Sequence, residues 1–134
     1  MVSSHTTIQQ SAKLVEHLMS TQLFTVKEND LAALASYVMQ WKNIHHLPVE
    51  NNKGQLCGLL THTHMKDYKY LIEQKNISVK EIMIREVVTV HPETTLIDAI
   101  RIMKTNQFGG LPVVYKKQLI GIITLNDLEK WKLP

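Results

Sequence analysis

The chain has 134 residues, 44% of them hydrophobic and 20% charged, with a formal net charge of +3. That is the composition of one soluble globular domain or of two small halves sharing a core, and no apolar run approaches the roughly 20 residues that cross a bilayer. The Lys and Arg residues are scattered rather than gathered into the patch that nucleic acid requires, and the single cysteine, Cys57, sits among aliphatics without a disulfide partner, as a small hydrophobe in a cytoplasmic protein would.

In chain order, residues 1–13 ("MVSSHTTIQQSAK") read as an N-terminal extension with no apolar signal core. A short helix leads to Leu18-Met19, and the β-branched stretch "LFTV" ends at Val26. The helix that follows, "NDLAALASYVMQW", places Leu31, Leu34, Ala35 and Val38 at helical spacing, with Asp30 as its N-cap. "HHLPVENNKGQLCGLLT" reads as a hairpin around a polar turn, and "HTHMKDYKYLIEQK" as a closing helix.

The same order then recurs. Ile82-Met83 answers Leu18-Met19, "VVTV" answers "LFTV", and "ETTLIDAIRIMKTN" gives a second helix capped by Thr94. "GGLPVVYKKQLIGIIT" is the second hairpin and "LNDLEKWK" the second closing helix. The offset is 64 from Leu18 to Ile82 (82 − 18) and from Leu47 to Leu111 (111 − 47), and 63 from Thr61 to Thr124 (124 − 61). One residue has been lost in the hairpin turn. Such ordered self-similarity defines two repeats, 14–75 and 79–131. Each buries its sheet poorly alone, so an α+β domain of two units packed sheet to sheet is expected.

The residues "IM", "VVTV", "LPVV" and "GIITLND" together resemble a CBS motif, and "LM…FTV…LPV…GLLT" resembles a second. The pair is similar to a tandem CBS (Bateman) module over nearly the whole chain. That resemblance implies two pseudo-twofold related β-α-β-β-α units with clefts between them and a regulatory role without catalytic residues. It implies an adenosine-containing ligand, AMP, ADP, ATP or S-adenosylmethionine, bound in one inter-repeat cleft. It also implies a homodimer formed through helices and an attached or associated effector protein; no cofactor is expected, and the lack of a long apolar run or a basic patch argues against a membrane or nucleic-acid partner.

By the same resemblance, Gly121, Thr124 and Asp127 form the segment whose hydroxyl and carboxylate meet the ribose, a carboxylate being able to accept from two neighbouring hydroxyls. The same pair is also a helix-capping arrangement, and both roles can coexist. The first repeat has His64 where the second has Asp127, so its own ribose site is lost. Histidines gather there instead: His45, His46, His62 and His64 are expected on the phosphate side of the ligand, where the nucleotide-sensing subunit of AMP-activated kinase carries basic residues. Affinity for a phosphorylated ligand should then rise as pH falls between roughly 8 and 6. An adenine pocket is expected from Leu23, Phe24, Thr25 and Ile44, with Ile123 from the second repeat, although each also reads as plain core.

Other readings compete with this one. A zinc site from the histidines is geometrically conceivable, but neither a Cys pair nor a helical His spacing supports it. An enzyme is disfavoured because the apolar setting of Cys57 raises rather than lowers its pKa and because Asp127 has no second acid nearby in sequence. The serious alternative is a ligand-free dimerisation or docking module, presenting Trp41, Trp131, Tyr68 and Tyr70.

Overall fold

A computed structural model describes residues 13–74 and 76–131. They form two compact units, one drawn from residues 24–87 and the other from residues 13–23 together with 88–131. The division does not follow the sequence repeat. The opening segment of each repeat belongs to the unit built mainly from the other.

In the Phe24–Val87 unit, β1 (Val26–Lys27) runs parallel to β2 (His46–Glu50), which pairs antiparallel with β3 (Leu56–Thr61). Helix α1 (Ala32–Lys42) lies between β1 and β2 in sequence. It ends at Asn43, whose left-handed conformation (φ 53°) lets Ile44 N–H reach back to the Met39 carbonyl, a helix stop that Asn tolerates well. After β3 come α2 (His62–Lys66), α3 (Lys69–Glu73) and α4 (Val79–Ile82). The single closing helix expected over "HTHMKDYKYLIEQK" is thus broken at Asp67-Tyr68. Ile84 then pairs with Leu59 through two bonds of 2.9 and 3.0 Å, extending the sheet beyond β3. The core here joins Val26, Ala35, Met39, Leu47, Val49 and Leu60 to Val79, Ile82 and Met83.

The other unit repeats this plan. A 3-10 turn (Val15–His17) precedes Ser20, which pairs with Ile122. Helix α5 (Leu96–Asn106) is followed by the hairpin β4 (Gly110–Tyr115) and β5 (Gln118–Thr124) and by α6 (Leu125–Glu129). "VVTV", expected as a strand, makes one parallel bridge, Val90 to Val113, through bonds of 2.9 and 3.0 Å. Val15, Leu96, Ala99, Met103, Leu111, Val113, Ile123 and Trp131 pack into its core.

The helix starts correct one expectation. The N-cap residues are Leu31 and Thr95, not Asp30 and Thr94. Asp30 Oδ2 accepts from Lys27 N–H (2.8 Å) and Thr94 Oγ1 from His91 N–H (3.0 Å), so both close the turn before the helix. The first free helical N–H groups are met by tertiary contacts: Ala32 donates to the Ile77 carbonyl and Leu96 to that of Lys13. This is why an apolar Leu31 can stand at a helix start, where a polar side chain is the rule.

Candidate functional site

The segment Thr124–Asp127 sits where β5 turns into α6. Strand geometry delivers Thr124 in an extended conformation (φ −125°, ψ 168°), and the helix then brings Asp127 back beneath it. Asp127 Oδ2 accepts from both Thr124 N–H (2.9 Å) and Thr124 Oγ1–H (3.1 Å), while Thr124 Oγ1 accepts from Asp127 N–H at 3.4 Å. The capping reading is therefore realised. Both recorded bonds to the carboxylate fall on Oδ2. A carboxylate offers about four acceptor positions, so Oδ1 retains capacity for a ligand hydroxyl. Both residues are half-buried, held by the fold yet open to solvent on one side.

The equivalent segment of the first repeat keeps half of this device. Thr61 Oγ1 accepts from His64 N–H at 3.0 Å, the same cap bond as in the second repeat. His64 makes no return bond. Its Nε2 instead meets the Ile82 carbonyl at 2.6 Å, and its ring lies 5.1 Å from that of Tyr68. As only a nitrogen bearing hydrogen can donate to that carbonyl, Nε2 carries the proton. The imidazole that replaces the acid anchors α4 to α2 through that bond.

The other histidines cluster at the open end of the β2–β3 hairpin. His45 and His62 rings stack at 5.2 Å with 25° between their planes, and His62 N–H donates to the His45 carbonyl at 2.9 Å. Both side chains are exposed. His46, paired across the ladder with Thr61, is half-buried. Burial first, and the neighbouring His45 second, push its pKa below the usual imidazole range. That direction disfavours the charged form of His46 that a phosphate would prefer. Among the described residues, no group of three or more His, Cys, Asp or Glu side chains is gathered as a metal site would need.

The expected adenine residues separate. Ile123 is fully buried, opposite Leu111 in the core of its unit, so it is packing and not pocket. Strand alternation turns Ile122 to the other face, where it is half-buried. Phe24 is 42% exposed, with the Lys42 ammonium 5.2 Å from its ring centre. Thr25 Oγ1 donates to Glu50 Oε1 at 3.0 Å, and Ile44 is half-buried against the Phe24–Val87 core. Leu23 is half-buried.

The sequence reading missed Glu50, which gathers Thr25 and, at 3.9 Å, the Lys27 ammonium. Parallel pairing of β1 with β2 sets Lys27 beside Glu50, and recognising that register was the signal needed. Burial raises the Cys57 pKa, with Glu28 adding to the rise, Arg85 opposing it and Glu50 contributing, so the thiol is unactivated.

A family model for the CBS domain matches residues 15–70 and 79–133. A CBS domain-containing protein of Dictyostelium discoideum is 32% identical over 127 residues, covering 86% of this chain and 88% of that protein. The inosine-5′-monophosphate dehydrogenase of Methanocaldococcus jannaschii is 34% identical over 122 residues, 90% of this chain but only 24% of that enzyme. This chain thus spans about a quarter of the length of several curated relatives, homoserine O-acetyltransferases of methanogens among them (23%). Two solved structures are similar throughout. A CBS domain pair in complex with 5′-methylthioadenosine and S-adenosyl-L-methionine superposes with a TM-score of 0.79 at 27% identity, over 89% of this chain and 94% of that one. CBSX2 in complex with AMP gives 0.80 at 25% identity, over 88% and 94%.

Proposed function

The chain belongs to the CBS-domain family as a tandem pair, and on that premise we propose that it is a regulatory module that senses an adenosine-containing ligand, with the ribose at Thr124 and Asp127. One observation carries the reading: Thr124 and Asp127 are locked together by the cap, and the carboxylate still has acceptor capacity at Oδ1. The ligands of two similar structures, S-adenosylmethionine with methylthioadenosine and AMP, share the adenosine group and support that class. The module's part is recognition, with the response carried by an effector.

For a phosphorylated ligand, His45 and His62 are the donors we assign, because both are exposed and stacked. A phosphate beside an imidazole favours its charged form, so binding takes up a proton and tightens as pH falls. Affinity for AMP should therefore rise from pH 8 to pH 6 while that for adenosine stays level. An AMP affinity that is equally level across that window sinks the histidine role.

The ligand class is tested by differential scanning fluorimetry with AMP, ADP, ATP and S-adenosylmethionine on the wild type and Asp127→Ala. A ligand at 100 times its Kd stabilises the fold by about 2.7 kcal/mol. The expected outcome is a shift with one of them that Asp127→Ala abolishes, measured against each variant's own ligand-free melt. A shift that survives in the variant excludes Asp127 as the ribose contact.

A further inference from the structure

Each unit contains a seam where an opening segment is stitched to the turn before a long helix, and the two seams share one backbone pattern. Beside α4, Val79 N–H donates to the Asp30 carbonyl, Lys80 N–H to that of Glu28 and Ala32 N–H to that of Ile77. Beside the turn Val15–His17, Val15 donates to Thr94, Glu16 to Pro92 and Leu96 to Lys13, every donor and acceptor displaced by 64 residues (79 − 15). All six bonds lie between 2.8 and 3.0 Å.

The side chains that clasp the seams differ. At the α4 seam both acceptors are carboxylates: Ser78 N–H donates to Glu81 Oε2 and Lys27 N–H to Asp30 Oδ2, at 2.6 and 2.8 Å. At the other seam Leu14 N–H donates to His17 Nδ1 at 3.1 Å and Glu93 N–H to His91 Nδ1 at 3.0 Å. Thr94 stands where the first seam has Asp30, and its hydroxyl accepts from His91 N–H without titrating. An imidazole Nδ1 accepts only while it carries no proton, and in the imidazolium both ring nitrogens are donors. Each of these two bonds therefore requires the neutral ring with its hydrogen on Nε2. Glu81 behaves oppositely, because the bonds from Ser78 hold its carboxyl below the usual carboxylate range and keep it an acceptor in mild acid.

We propose that His17 and His91 form an acid-sensitive clasp, which holds residues 13–17 against the 91–96 turn at neutral pH and loosens below about pH 6.5. Both histidines are exposed, so protons reach them without prior opening. Protonation turns each Nδ1 from acceptor to donor and sets it against a backbone N–H. Lys13 and Glu16 flank His17 on its own segment, and Glu93 stands beside His91 on the facing turn. From β4, Tyr115 meets the His91 ring edge-on at 5.4 Å, with the Lys116 ammonium 5.3 Å from the tyrosine ring centre. Among the described residues, none of these gives Leu14 N–H or Glu93 N–H a second acceptor. Val15 is fully buried and opposes release, so the clasp sets how often the segment opens and does not unfold the unit. The device is independent of the ligand reading.

Amide hydrogen exchange on the full chain tests it, followed by NMR at pH 7.5 and 5.5 and corrected for the intrinsic pH dependence of exchange. Each lost acceptor raises the opening equilibrium by about 2-fold to 10-fold, so protection at Val15, Glu16 and Leu96 should fall roughly 5-fold to 100-fold in acid. The decisive variant is His17→Asn with His91→Asn, because an amide oxygen accepts the same bonds and does not titrate. It should abolish the acid loss at these three amides and leave Val79, Lys80 and Ala32 as they are in the wild type at each pH. His17→Leu with His91→Leu, which offers no acceptor at any pH, should show the acid level of protection already at pH 7.5. Circular dichroism confirms that each variant is folded, and if the leucine variant is not, the asparagine variant decides. A wild type whose three amides keep their protection at pH 5.5 overturns the proposal. So does an acid loss that persists in the asparagine variant, or a folded leucine variant as protected as the wild type at pH 7.5.

Discussion

Thr61 and Thr124 do the same local work, and the residue three positions later decides what else their segments can do. A carboxylate at 127 accepts two bonds and keeps acceptor positions in reserve. The imidazole at 64 spends its Nε2–H on the Ile82 carbonyl. Removing it in His64→Ala leaves the carbonyl of a buried residue without that partner and should cost about 1–3 kcal/mol, read from urea midpoints. A loss below a few tenths would mean water replaces the imidazole without penalty. His46 gives a pH prediction. Its folded pKa is lowered by burial and by His45, so the unfolded chain binds more protons as pH drops below about 6.5. Stability should be fully present above that value and fall with acidification through the window down to the lowered folded pKa. His46→Gln should flatten this slope in denaturation series at pH 7.5, 6.5 and 5.5. Identical slopes would show that other groups carry the acid sensitivity. The residue identities at 64 and 127 were legible in the sequence, and so was the cap. The partner of His64 was not, because Ile82 lies 18 residues away and only tertiary packing brings it close.

At the scale of elements, each β hairpin leaves a bare glycine where the opening segment of the other repeat crosses. A Cβ on Gly58 would overlap the Met83 side chain and lie 3.2 Å from the Ile84 carbonyl oxygen. On Gly121 it would overlap Met19 and lie 3.1 Å from that of Ser20. The glycines let the Ile84–Leu59 and Ser20–Ile122 bridges approach the sheet. Gly58→Ala and Gly121→Ala should each destabilise by about 1–3 kcal/mol, the usual range for overpacking. Because the flexible thioether is one of the two obstacles, Gly58→Ala with Met83→Ala should cost less than the sum of the singles. Strict additivity in thermal melts would show that the methionine is not the obstacle. Periodicity made the two long helices and both hairpins readable, since Leu31 to Val38 and Leu96 to Met103 repeat at helical spacing. It failed at "VVTV", where composition favours a strand but only Val90 finds a partner in β4. It failed again at Asp67-Tyr68, where nothing in the residue types announces the break between α2 and α3.

At the scale of the molecule, the sequence repeat and the physical unit are different objects. Self-similarity places Val15–Ser20 with the first repeat and Val79–Ile84 with the second, because sequence order is all it can record. Val15 and Glu16 nevertheless donate to the carbonyls of Thr94 and Pro92, while Val79 and Lys80 donate to those of Asp30 and Glu28. Local pattern cannot show which sheet a four-residue helix will join; hydrogen bonds across some 50 to 80 residues decide it. This predicts how the chain can be cut. A fragment of residues 14–75, faithful to the repeat, lacks the buried Val79, Ile82 and Met83 and the Ile77 carbonyl that receives Ala32 N–H. It also retains Val15, whose core partners lie beyond its end. A fragment of residues 24–87 holds its entire core, yet at 64 residues (87 − 24 + 1) it is near the lower limit for independent folding. The expected outcome is a weak but cooperative urea transition by circular dichroism for 24–87 and a sloping, transition-free baseline for 14–75. A cooperative 14–75 beside an unfolded 24–87 would show that the repeat, and not the exchanged unit, is what folds.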